Sequence, residues 1–211
     1  MNSNESRVKT KLILAKKLHF NHEKLSKLEL FVSELLKFNK KYNLISKGSE
    51  KNIWNRHVLD SAQLIDFIDQ KKYKSLSDLG TGGGFPGIVL GIFYSDNITF
   101  HVKLFEKSNV KIKFIQSIKS KLKLKNVLIY ENDYQSHIID TDYVICRAFK
   151  KLPEIIKISR EIKNSHKLIV MMGKSAQDQI NKASKGMIYK YKLISSITQS
   201  DSKILLVDVK K

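Results

Sequence analysis

The chain has 211 residues, 39 Lys+Arg against 20 Asp+Glu for a formal net charge of +19, and 42% hydrophobic residues with only 2 Pro and 9 Gly. That composition excludes a disordered or fibrous chain, and the length suits one sizeable core with at most a small satellite domain. A single cysteine, Cys146, excludes a disulfide framework and a cysteine-based zinc site, and the lack of any run of about 18 apolar residues excludes a membrane-spanning helix.

The first 20 residues carry charges at Glu5, Arg7, Lys9, Lys11, Lys16 and Lys17 and no cleavable apolar stretch, so no secretory signal is expected and the expected compartment is the cytoplasm. Over 22–43, Leu25, Leu28, Val32, Leu35 and Leu36 recur at three- and four-residue steps, which predicts an amphipathic helix. Lys47-Gly48-Ser49 reads as a turn, and Trp54, Val58, Ala62 and Ile65 predict a second helix over 53–68. Residues 1–74 are therefore expected to form a helical extension that packs on the rest of the chain.

From residue 75 the pattern alternates. Strands are predicted at Ser75–Leu79, Ile98–Phe105, Val127–Tyr130, Tyr143–Cys146 and Leu168–Met172, with helical spacing at 86–94, 108–121 and 152–163. Such alternation implies a parallel, doubly wound α/β sheet with right-handed crossovers. Two final strand-like runs, Met187–Ile197 and Lys203–Val209, flank a polar turn at Gln199–Ser202 and predict an antiparallel hairpin closing one sheet edge. Residues 75–211 thus read as a seven-stranded domain.

The charge surplus suits a polyanion such as nucleic acid. A merely solvated cationic surface is the rival reading, because 35 of the basic residues are Lys and they are spread along the chain. The densest stretch, 103–125, holds eight Lys against Glu106 alone.

The segment Ser77-Asp78-Leu79-Gly80-Thr81-Gly82-Gly83-Gly84-Phe85-Pro86-Gly87 follows a strand and opens a helix. Glycines there let the chain turn sharply and let a ligand touch backbone. Gly82-x-Gly84-x-x-Gly87 fits the dinucleotide fingerprint literally. Counting from the strand end gives Gly80-x-Gly82-x-Gly84 after an acidic residue, the pattern of S-adenosylmethionine-binding methyltransferases. Glu106 stands 26 residues beyond Gly80 at the next strand end, where either cofactor wants an acid for its ribose, so the residues alone leave NAD and S-adenosylmethionine both open. A nucleotide-sensing module and a methyltransferase with another acceptor also remain open.

At this loop the sequence resembles the GidB/RsmG family, which methylates a guanine N7 in small-subunit ribosomal RNA. The resemblance rests on Gly80-Thr81-Gly82-x-Gly84-Phe85-Pro86-Gly87, on Phe38-Asn39-Lys40-Lys41-Tyr42-Asn43-Leu44 and on Arg56-His57-Val58-Leu59-Asp60-Ser61. It extends to Glu106 with Lys111, Lys113 and Phe114, and to Arg147-Ala148-Phe149. It implies S-adenosylmethionine as cofactor, held by Gly80, Gly82, Gly84, Phe85, Glu106 and Arg147, with Tyr134 and Gln135 along the adenine. It further implies ribosomal RNA or a ribosomal subunit as partner, and the expected protein is a monomer without metal. Where the family has Leu-Lys-Gly after strand five, this chain has Met171-Met172-Gly173-Lys174, so Lys174 would have to replace the family lysine.

Guanine N7 carries a free lone pair and no proton, so its methylation needs no general base. Catalysis should rest on positioning and on exclusion of water. A donor to guanine O6 is the natural aid, and Arg56, His57 and Arg147 are the candidates for such positioning roles. Arg56 and Asp60, four apart on one helix face, could instead pair with each other.

Overall fold

The computed structural model describes residues 3–183 and 190–211. Two helices lead, α1 (Ser3–Lys16) and α2 (His22–Asn39), followed by a single turn α3 (Lys47–Glu50). A π-helical turn at Trp54–Leu59, α4 (Asp60–Ala62) and a 3-10 turn at Gln63–Phe67 then run on from one another. The remaining elements are β1 (Ser75–Leu79), α5 (Gly87–Phe93), β2 (His101–Glu106), α6 (Asn109–Lys121), β3 (Val127–Glu131), β4 (Tyr143–Arg147), α7 (Leu152–Glu161), β5 (His166–Met172), α8 (Ala176–Ala183), β6 (Tyr191–Ser195) and β7 (Lys203–Val209), with a short 3-10 turn at Tyr134–Ser136.

The seven strands make one sheet in the order β3-β2-β1-β4-β5-β7-β6. β1 to β5 pair in parallel, and β7 enters antiparallel between β5 and β6. The order reverses between β1 and β4, so the chain leaving β1 opens onto a crevice at the carboxyl ends of the strands. β1 is buried at all five positions because it is central and covered on both faces.

Alternation along the strands divides the core in two. Ile145, Ile169 and Ile204 face one side with α5, α6 and the leading helices; Val144, Cys146, Leu168 and Val170 face the other with α7 and α8. The leading helices enter the first of these cores through Leu14, Leu28, Phe31 and Leu35, all fully buried. Phe31 lies 5.1 Å from the Phe85 ring and 6.3 Å from Phe114. Among the described residues no helix is long and apolar enough to cross a membrane.

Several boundaries differ from the pattern reading. α2 stops at Asn39, not 43, because the buried Asn39 amide turns to the loop beyond it, donating to the Ile45 carbonyl and accepting from its N–H. The stretch 53–68 is not one α-helix but the π, α and 3-10 succession above. β2 starts at His101 because Asn97 captures the Thr99 N–H and hydroxyl in a local turn. Within the predicted strand at 187–197, the described part pairs from Tyr191 to Ser195, and 187–189 lie outside the described residues. α8 has no counterpart in the pattern reading.

Candidate active site

The loop leaving β1 is fastened to the end of β2. Gly80 N–H and Thr81 N–H donate to the Phe105 carbonyl at 2.9 and 3.1 Å. Gly82 N–H donates to Glu106 Oε2 at 2.9 Å, while Lys107 and Ser108 N–H donate to Oε1 at 3.0 and 2.9 Å. The Glu106 carboxylate thus fixes two loops while standing at the sheet's carboxyl edge. Gly80 has φ +73°, and a Cβ there would sit 2.5 Å from the Phe149 ring, so no other residue fits without displacing it.

A cleft of about 300 Å³ opens here, with Gly80, Phe105, Glu106, Tyr134 and Phe149 among its lining residues. Tyr134 and Phe149 meet edge to face at 5.5 Å. Lys107, Lys111 and Lys150 also border it. Beneath the loop, buried Asp78 accepts the Gly87 N–H at 2.8 Å, and burial pushes its carboxyl up to about 6.

Beside this cleft lies a second cluster. Phe85 stacks on His57 at 4.9 Å. Both His57 ring nitrogens are buried with no hydrogen-bond partner among the described residues. Burial, reinforced by the Arg147 and Arg56 cations, lowers the imidazole to about 3, so the ring is neutral at physiological pH. Arg147, at the end of β4, donates to the Arg56 carbonyl at 2.6 Å and lies 3.4 Å from Asp60 Oδ2.

A protein-family model described as GidB, rRNA small subunit methyltransferase G, matches residues 24–206. The ribosomal RNA small subunit methyltransferase G of Pelagibacter ubique is 36% identical over 202 residues, covering 94% of this chain and 93% of that protein. The chain belongs to the GidB family. The enzyme of the same name from Rickettsia bellii is 36% identical over 184 residues, covering 87% of this chain and 93% of its own. Solved structures add the fold alone. The cofactor-bound Rv0187 from MTB matches with TM-score 0.67 at 10% identity, covering 95% of each chain. An O-methyltransferase from Bacillus cereus in complex with SAH matches with TM-score 0.59 at 12% identity, covering 98% of this chain and 99% of that one.

In this GidB chain, Gly80, Glu106 and Tyr134 line the cleft together. Gly82 sits one step away, on Glu106. Gly84, at φ +93°, packs against Ile88 and Phe31, where a Cβ would lie 2.7 Å from the isoleucine. Phe85 and Arg147 belong to the neighbouring cluster with His57 and Arg56, and Gln135 is exposed, held by its N–H to Asp133 Oδ1. Lys174 is exposed and lies 3.5 Å from Asp201. Arg56 offers its carbonyl, not its guanidinium, to the cluster, and Asp60 pairs with Arg147 instead. Sequence reasoning overlooked Phe149 and Lys150 as cleft residues. The adjacent Arg147 was the available signal, since a loop leaving a strand end beside a crevice carries its next residues into it.

Proposed function

We propose that this chain is an S-adenosylmethionine-dependent methyltransferase that places a methyl group on N7 of a guanine in small-subunit ribosomal RNA. The observation that carries the reading is the match to the family over 24–206 combined with the cleft at the carboxyl ends of β1 and β2. The residues present suit the cofactor. Gly80 leaves room for the Phe149 ring at the cleft, Glu106 places a carboxylate in the lining that could accept from ribose hydroxyls, and Tyr134 and Phe149 offer an aromatic wall to a purine. When bound, S-adenosylmethionine supplies an electrophilic methyl group on a sulfonium.

The chain's own contribution is binding and orientation. Guanine N7 needs no base, so no residue is asked to remove a proton. Neutral His57 adds no cation beside a purine that is gaining positive charge, and with its ring nitrogens buried it acts by backing Phe85. Arg147, held by Asp60, and the exposed Arg56 are the remaining candidates to donate to O6. We read residues 1–74 as a helical extension that frames the acceptor side, and 75–211 as the methyltransferase domain. The protein acts as a monomer in the cytoplasm on ribosomal RNA or a ribosomal subunit.

The test is transfer of a labelled methyl group from S-adenosylmethionine to small subunits lacking the mark, then chemical strand scission at 7-methylguanosine. Label in the RNA with a single scission site supports the reading. Absence of label on both naked RNA and assembled subunits refutes it.

A further inference from the structure

Asp60 stands where three separate parts of the chain meet. Its Oδ2 faces the Arg147 guanidinium at the end of β4 at 3.4 Å. Its Oδ1 accepts from Gln63 Nε2 at 2.8 Å, from Thr198 Oγ1 at 2.8 Å and from Ser196 Oγ at 3.2 Å. Ser196 and Thr198 belong to the turn between β6 and β7. Gln63 doubles the link, for its Oε1 accepts the Ile197 N–H at 3.0 Å. Arg147 completes the circuit by donating to the Arg56 carbonyl, inside the π-helical turn, at 2.6 Å. The Asp60 and Arg147 side chains are only 15% and 18% exposed, so water screens the pair weakly.

Local geometry explains why this matters. A π-helical turn is a rare, wide conformation that packs less regularly than an α-turn and recurs at functional sites. Here it carries Arg56 and His57. No side chain within the turn holds its carbonyl at Arg56; Arg147 does, from another element, and Asp60 sets where Arg147 points.

We infer that Asp60 is a positioning residue for methyl transfer: through Arg147 and the β6–β7 turn it holds the π-helical turn, and with it Arg56 and His57, against the glycine loop. This rests on the activity proposed above and adds a residue that touches neither cofactor nor acceptor. Removing its charge leaves the largely buried Arg147 with only the weaker pull of Asp78, so the guanidinium turns toward water and releases the Arg56 carbonyl.

The test compares full-length wild type with Asp60→Asn, which keeps the shape and one acceptor oxygen, and with Asp60→Glu. For Asp60→Asn the expected result is a kcat at least about tenfold lower, with KM for S-adenosylmethionine and for small subunits within about twofold of wild type. Asp60→Glu should recover part of kcat. Amides 54–59 should exchange faster with solvent in Asp60→Asn while the amides of β4 keep their protection. The double variant Asp60→Asn/Arg147→Gln should be no slower than Arg147→Gln alone, because one linkage is lost in both. An unchanged kcat in Asp60→Asn overturns the inference. So does a loss of kcat that tracks cofactor affinity or exchange protection across the whole chain. A wild-type chain that transfers no methyl group overturns this inference together with the proposed function, and that control tells the two failures apart.

Discussion

The neutral state of His57 makes a quantitative prediction. In the unfolded chain its imidazole titrates near the ordinary 6.5, and in the folded protein burial and two nearby arginines hold it at about 3. A base whose folded value is depressed contributes nothing to pH dependence above about 7. As pH falls below 6.5, the unfolded state takes up the proton that the folded state refuses, and stability is lost. Linkage puts the loss at about 2 kcal/mol at pH 5 relative to pH 8, rising toward about 5 kcal/mol below pH 3. Asp78 runs the other way. Its folded value is raised from 3.8 to about 6, so its contribution is lost as pH rises through that window. The two partly cancel in the wild type, and a variant is needed to separate them. His57→Gln keeps a polar side chain without the titration. Urea unfolding of both proteins at pH 8 and pH 5 should show the wild type losing about 2 kcal/mol more than the variant. Nuclear magnetic resonance of the wild-type imidazole should show no titration between pH 5 and 8. A ring that titrates near 6.5, or parallel pH profiles for the two proteins, would refute the buried, unpaired placement of His57.

Other expectations concern the cleft, the core and the basic surface. S-adenosylmethionine should raise the melting temperature while NAD does not, and Gly80→Asp, whose side chain must displace the Phe149 ring, should abolish that shift. A Gly80→Asp enzyme with full activity would remove the cleft from the account. Phe31→Ala empties a fully buried site between Phe85 and Phe114 and should cost about 3–5 kcal/mol in denaturant unfolding; a cost below about 1 kcal/mol would mean that α2 is not part of the common core. Replacing Lys119, Lys121 and Lys123 with Gln should weaken RNA binding and lower its log–log salt slope by about 2, since Lys121 is already committed to Glu34. An unchanged slope would clear that patch of phosphate contacts.

The strands were legible because each is a short apolar run bounded by turn residues. Ser75–Leu79 and Lys203–Val209 coincide with the pattern reading. α8 was not legible: Ile180 and the two alanines, Ala176 and Ala183, are its only buried residues, too thin a stripe to rise above its polar neighbours. Nor could periodicity separate a π-turn from an α-helix at 54–59, since the two differ by less than a residue per turn over six residues. At the site, Gly80 and Glu106 were legible because strand ends followed by a glycine or an acid leave a local signature. The partner of Asp60 was not. From the sequence its visible neighbour is Arg56, four residues away, whereas apart from nearby Gln63 the residues that bind it lie at 147, 196 and 198. Such partners are fixed by sheet topology, which brings the β6–β7 turn to the same sheet edge as the end of β4, one strand away across β5.

That junction also bears on biosynthesis. The ribosome makes Asp60 136 residues before Ser196 and 138 before Thr198, yet the hydroxyls of the later pair complete the hydrogen bonds to its carboxylate. While the nascent chain stops short of them, Gln63 is the partner left to Asp60 Oδ1. The contacts around Asp60 therefore close only after the β6–β7 turn has been made, so this junction joins early and late parts of the chain.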